Sequence, residues 1–144
     1  MSRRYARMMK RGIEPREHDV QAAFVELINI NVKRYPVLAI SFAIVNAQKM
    51  LSRANNPGAL IGFLRAEGFR EGVPDWVLPW PAQGYHGLWI EFKRGASGQV
   101  SPAQRHFISD LRLWGHRVEV MQDAELAWDC VRHYLADGYK LKGG

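Results

Sequence analysis

The sequence predicts a single α/β domain, a mixed β-sheet flanked by helices on both faces. Three observations predict it. Apolar residues recur at helical spacing after Glu17. Apolar and polar residues alternate strictly along Leu88–Lys93. Strand-like and helical segments follow one another in the order α-β-α-β-β-α-β-α within 144 residues, enough for one core and too few for two.

The first helix runs from Glu17 to about Lys33, with Val20, Ala23, Phe24, Leu27 and Ile28 on its apolar face, and Pro36 closes it. Val37–Val45 is a continuous apolar run and reads as a buried strand. Polar Asn46–Asn56 reads as a loop. Pro57, capped by Asn55 or Asn56, opens a helix that stops at Gly68. Two glycines and Pro74-Asp75 turn the chain into a strand, Trp76–Leu78, and Pro79–Gly87 is a connecting loop. In the next strand Leu88, Ile90 and Phe92 share one face, and Trp89, Glu91 and Lys93 the other.

Gly95–Gln99 is a loop. Ser101, Pro102 and Gln104 supply an N-cap, a first-turn proline and a capping-box glutamine for a helix ending at Gly115. Its buried stripe is expected to be Ala103, Phe107, Leu111 and Trp114. Arg117–Met121 is a strand, and Asp123 starts a last helix to about Leu135. The early strands can pair as a meander, whereas the β-α-β unit ending at Met121 needs a parallel or crossover connection. The expected organisation is a basic N-terminal tail over 1–16, the domain over 17–138 and a short C-terminal tail over 139–144.

Composition excludes several classes. Nearly half the residues are apolar and about a quarter charged, the balance of a folded domain. Cys130 is the only cysteine, so neither an internal disulfide nor a multi-thiolate zinc site is possible, and a reducing, cytoplasmic setting is the expectation. No apolar run approaches the roughly 20 residues of a membrane span, and no apolar stretch follows the basic start as in a secretory signal. The five histidines lack zinc-hydrolase spacing, and no phosphate-binding glycine loop is present. Cys130 reads as a small core residue and the tryptophans as mostly core. Trp80, Pro81 and Tyr85, in a loop, are candidates to touch DNA or a second subunit.

The formal charge is +6, and residues 1–16 hold most of it: Arg3, Arg4, Arg7, Lys10, Arg11 and Arg16 against Glu14 alone. Such a segment either docks on a polyphosphate or is a solvated terminus with no partner.

The chemistry-bearing residues are Asp75, Glu91 and Lys93. Two residues apart on one strand, Glu91 and Lys93 point the same way, and Asp75 opens the preceding strand. If those strands are neighbours, two carboxylates and the Phe92 carbonyl converge as an all-oxygen site suited to Mg²⁺ or Mn²⁺. A lysine beside them can orient an attacking water and stabilise charge on a phosphate. Each also has an ordinary explanation: Pro-Asp favours turns, and a Glu and a Lys on one strand can be a surface ion pair.

The segments GFLRAEGFREGVPDW and LWIEFKRGASGQVSPAQRHFISDLRLWGHRVEV resemble the VRR-NUC family, a branch of the PD-(D/E)xK nuclease superfamily. The resemblance rests on the glycine pair before Pro74-Asp75, Glu91-Phe92-Lys93, Ser101 and Gln104 at the next helix start, and the Gly115-to-strand ending. It spans about Glu17 to Val131. It implies a restriction-endonuclease-like fold and Mg²⁺- or Mn²⁺-dependent cleavage of DNA. Asp75 and Glu91 would bind the metal and Lys93 would serve the nucleophilic water. A family glutamate on the first helix implies Glu17 as a further ligand, with Gln21 one turn along and Glu26 less well placed; a solvent-facing helix-start acid explains Glu17 equally. Gln104 either reaches back to its own cap or leans into the active site.

One departure is Asn46-Ala47-Gln48-Lys49, where the family often has a glycine-containing turn, although Lys49 and Arg53 can still touch phosphates. The expected DNA-binding set is Arg3, Arg4, Lys10, Arg11, Lys49, Arg53 and Arg94. Stand-alone relatives of this kind look like junction resolvases, which implies branched DNA, a four-way junction first, and a homodimer making paired cuts. A flap, repair or restriction-type nuclease, an RNA-directed nuclease and a non-catalytic DNA-binding module are the competing readings.

Overall fold

The computed structural model describes residues 3–45, 47–95 and 98–136. Four strands form one sheet in the order β1 (Phe42–Ala43), β2 (Trp76–Leu78), β3 (Leu88–Phe92), β4 (Arg117–Met121). β1–β2 and β2–β3 are antiparallel, and β3–β4 is parallel. The helices are α1 (Arg3–Lys10), α2 (Glu17–Asn31), α3 (Ala47–Leu51), α4 (Pro57–Ala66), α5 (Pro102–Leu113) and α6 (Ala124–Ala136).

The alternation in β3 does what its period requires. Leu88, Ile90 and Phe92 are buried with Trp76 and Leu78 against Val20, Phe24 and Ile28 of α2 and Ala127, Val131 and Tyr134 of α6. Phe24 meets the Trp76 ring edge-on at 4.9 Å. Glu91, on the opposite face, is held by Gln104 of α5, and α5 packs on β4. Helices therefore cover both faces. Cys130 is buried, as a small core residue should be. Among the described residues no helix is long and apolar enough to cross a membrane.

Several expectations are corrected. Val37–Val45 is not one strand: Pro36–Ile40 is a 3-10 helix burying Val37 and Leu38, and only Phe42–Ala43 pairs, at the sheet edge with both residues exposed. A short apolar run cannot distinguish a buried strand from a buried turn of helix, and Pro36 presets the helical φ. The expected loop at Asn46–Asn56 contains α3, whose Ala47 is buried; Asn46 lies outside the described residues. In α5 the stripe is rotated: Ile108 is buried, while Ala103 and Trp114 are exposed, Trp114 at 73%. Trp80 packs against the core and its carbonyl accepts from Tyr134, leaving Pro81 and Tyr85 as the exposed members of that loop.

The largest correction concerns the N-terminus. Within the expected tail, Arg3–Lys10 is helical and Tyr5 is only 2% exposed. The Tyr5 hydroxyl donates to Asp123 Oδ2 at 3.0 Å and accepts from the Ala124 N–H at 3.2 Å. Asp123 Oδ1 meanwhile accepts from the Glu125 and Leu126 N–H groups, capping α6. Tyr5 thus ties the N-terminus to the start of the last helix. Tyr5→Phe is expected to cost about 1–2 kcal/mol in urea denaturation, since it leaves a buried N–H without its acceptor. The expected tail at 139–144 lies outside the described residues.

Candidate active site

β2 and β3 are neighbours, and their register places the acids. Trp76 pairs with Ile90 and Val77 with Trp89, so one step further Asp75 stands opposite Glu91 on the α5 face. Asp75 Oδ2 accepts from the Phe92 N–H at 2.8 Å, which locks its carboxylate to the end of β3. Lys93 follows immediately, its N–H donating to the Met121 carbonyl at 2.9 Å, so β4 holds the backbone beyond the strand. Its ammonium lies 2.8 Å from Glu91 Oε1, and both side chains are buried.

Gln104 performs both roles its position suggests, with different atoms. Its side-chain oxygen accepts from the Ser101 N–H at 2.9 Å, completing the capping box, while its NH₂ donates to Glu91 Oε1. The start of α5 is thereby fastened to β3. Gly72 lets it come that close. With φ +84°, Gly72 is in the left-handed region, and a Cβ there would lie 2.4 Å from the Ala103 carbonyl oxygen. Gly72→Ala is expected to destabilise by about 2 kcal/mol or more and to displace Gln104, seen as a lowered melting temperature together with slower turnover.

The electrostatics of Glu91 are those of a crowded acid. Burial, then the Asp75 charge, raise its pKa from 4.5 to about 7, against the lowering effect of Lys93; Glu17 adds a further raising charge. Glu91 Oε2 is buried and has no hydrogen-bond partner. A buried carboxylate oxygen in that condition is costly unless a cation or donor satisfies it. The donor set, two carboxylates beside the Phe92 backbone, is oxygen only and fits a hard divalent cation such as Mg²⁺ or Mn²⁺. Among the described residues no three His, Cys, Asp or Glu side chains are gathered to hold an ion. The acids form a pair, and Glu17, exposed at the first position of α2, adds a raising charge at Glu91.

A groove of about 450 Å³ opens from Asp75 and Gln104 past Gly72, Ala103, Gln48 and Arg70. Arg70 had no role in the sequence reading, although it lies within the glycine-bracketed segment before Pro74-Asp75. Of the expected DNA-binding residues, Arg53 is exposed, and Arg94 is held by Glu14 at 3.2 Å. Arg3, Arg4, Lys10 and Arg11 belong to α1 or the turn after it, not to a loose tail.

Paired acids, a buried lysine and a groove thus lie together at the end of a mixed sheet, an arrangement able to hold a cation beside a phosphate. The VRR-NUC domain model matches residues 16–125, and the chain belongs to that family. Membership carries nuclease-type activity and DNA binding. A solved structure described as a VRR_NUC domain protein covers 87% of this chain and 92% of its own, with a TM-score of 0.66 and 20% identity, a likeness of fold. No curated protein matches the chain.

Proposed function

We propose that the chain is a Mg²⁺- or Mn²⁺-dependent DNA endonuclease acting on branched DNA, the four-way junction first. The observation that carries this reading is the unsatisfied, buried Glu91 Oε2 beside Asp75 and Lys93. Asp75, Glu91 and the Phe92 carbonyl would hold the ion, with Glu17 adding negative charge nearby. A bound divalent ion supplies Lewis-acid charge and lowers the pKa of water.

The rest of the chemistry belongs to the side chains. The Lys93 ammonium faces the acidic pair, where it can orient the attacking water and stabilise negative charge on the phosphate oxygens. Gln104 keeps Glu91 in place from the start of α5. Hydrolysis adds the water oxygen to phosphorus and breaks the bond to the leaving sugar oxygen, which takes a proton. Arg70 and Arg53 are exposed cations available to backbone phosphates. Arg94, paired with Glu14, can exchange that partner for a phosphate, and Lys49 is a further candidate from the sequence. A symmetric junction needs two cuts, so the working form is a homodimer, inside the cell at the nucleoid.

Cleavage of labelled four-way junction, flap, duplex and single-stranded DNA with Mg²⁺, Mn²⁺ or EDTA tests the reading. Junction cutting with either ion and none with EDTA is expected, with dimers in sedimentation. Folded protein that binds DNA but cuts no substrate would replace the enzyme by a binding module.

A further inference from the structure

Residues before 16 lie outside the family match, yet they form a built surface. A groove of about 550 Å³ runs along α1, lined by Arg3, Arg4, Arg7, Met8, Arg11 and Ile13. All four arginines are exposed. Arg4 pairs with Asp19 at 3.4 Å. Among the described residues Arg3, Arg7 and Arg11 have no acidic partner.

The arrangement works against the helix that carries it. Arg3, Arg7 and Arg11 are spaced four apart, where like charges repel. Arg3 and Arg4 sit at the positive end of the helix dipole, with no acid in the first turn. A helix of eight residues has little stability of its own in water. It persists because Tyr5 is buried and bonded to Asp123 and Ala124. A solvated basic terminus has no need of such an anchor.

The segment is also fastened to the catalytic strand. Glu14, next to the groove residue Ile13, pairs with Arg94, the residue after Lys93. The contact is close: a Cβ at Gly95 would lie 1.8 Å from Glu14 Oε1. The groove therefore has a defined position relative to Glu91 and Lys93.

We propose that α1 is a rigid phosphate-binding arm, whose Arg3, Arg7 and Arg11 take backbone phosphates of duplex DNA flanking the cleaved bond. The proposal rests on the nuclease reading and names the part of the chain that holds the substrate outside the chemical site. Phosphates supply the negative charge that α1 lacks, and Met8 and Ile13 give the groove an apolar floor against the sugars. Arginine suits the task because its planar fork meets phosphate oxygens in pairs.

The test is binding of labelled duplex DNA in EDTA across a salt series, comparing the full chain with the combined variant Arg3→Gln, Arg7→Gln, Arg11→Gln. The variant is expected to bind roughly tenfold or more weakly at low salt, and its plot of log Kd against log salt to be shallower by about 2–3, near one unit per lost phosphate contact. Its melting temperature should be unchanged or higher, because repulsion within α1 is relieved. An unaltered slope and affinity in the variant, with the unmodified chain binding normally, would overturn the arm alone. Failure of the unmodified chain to bind duplex would also overturn the arm and leave the nuclease reading standing, because that reading rests on cleavage of branched DNA. Weaker binding with a fallen melting temperature would mean that the arginines hold the fold, and would overturn the arm as well.

Discussion

Lys93→Ala is expected to slow DNA cleavage by roughly 10³-fold in single-turnover assays, with DNA binding weakened far less. The residue combines a buried ammonium, a 2.8 Å contact to Glu91 Oε1 and a backbone held by β4. Its charge is thus presented to the acidic pair with little freedom to move away. Stability should fall as well. Breaking a buried ion pair usually costs roughly 3–5 kcal/mol because a charge is stranded. Here the loss should be smaller, since Glu91 titrates at about 7 and can take a proton instead. Lys93→Met keeps the volume of the stem and should match the alanine variant in rate while melting higher. Cleavage by Lys93→Ala near the unmodified rate would remove the lysine from the chemistry.

Glu91→Gln is expected to abolish cleavage and to change how stability depends on pH. In the metal-free folded protein burial and Asp75 raise the Glu91 pKa from 4.5 to about 7. An unfolded chain releases that proton near the ordinary glutamate value, so between the two values the folded state binds more protons than the unfolded one. Its stability must then fall as pH rises through this window and level off above it. Glutamine cannot ionise and keeps the same shape. In EDTA the variant should be more stable than the unmodified chain at about pH 8 and should lose this contribution to the slope. Asp19 does not obscure the result. Burial alone would raise its carboxyl, but Arg16 and Arg4 outweigh that and hold it below its ordinary range, so its contribution is lost only at more acidic pH. Added Mg²⁺ should raise the melting temperature of the unmodified chain and leave Glu91→Gln almost unmoved. Urea denaturation at the two pH values, with and without the ion, reads all of this; an unchanged pH slope in the variant would refute the crowded-acid description.

The site was legible because its residues are adjacent in sequence or one strand apart. Period-two alternation put Glu91 and Lys93 on one face, and a Pro-Asp turn before a short strand put Asp75 where antiparallel pairing brings it opposite Glu91. The capping box at Ser101–Gln104 was written in local chemistry and formed as written. What sequence spacing does not encode is which polar atoms remain after packing. That Gln104 caps α5 with its oxygen and holds Glu91 with its nitrogen depends on how close α5 comes to β3, which the backbone at Gly72 permits.

The sequence by itself determined the α/β class, most helix limits, the presence of the strands at 76–78, 88–92 and 117–121, and that Glu91 and Lys93 share a face, because these follow from periodicity, capping and turn residues acting over a few positions. Only the tertiary structure decided that Val37–Val45 is mostly a 3-10 turn, that Trp114 faces solvent, and that the basic N-terminus is an anchored helix rather than a tail. In each case the deciding partner is distant in the chain. The Tyr5 hydroxyl meets Asp123, and burial of an aromatic ring against the last helix outweighs the local repulsion that would otherwise leave those arginines in water.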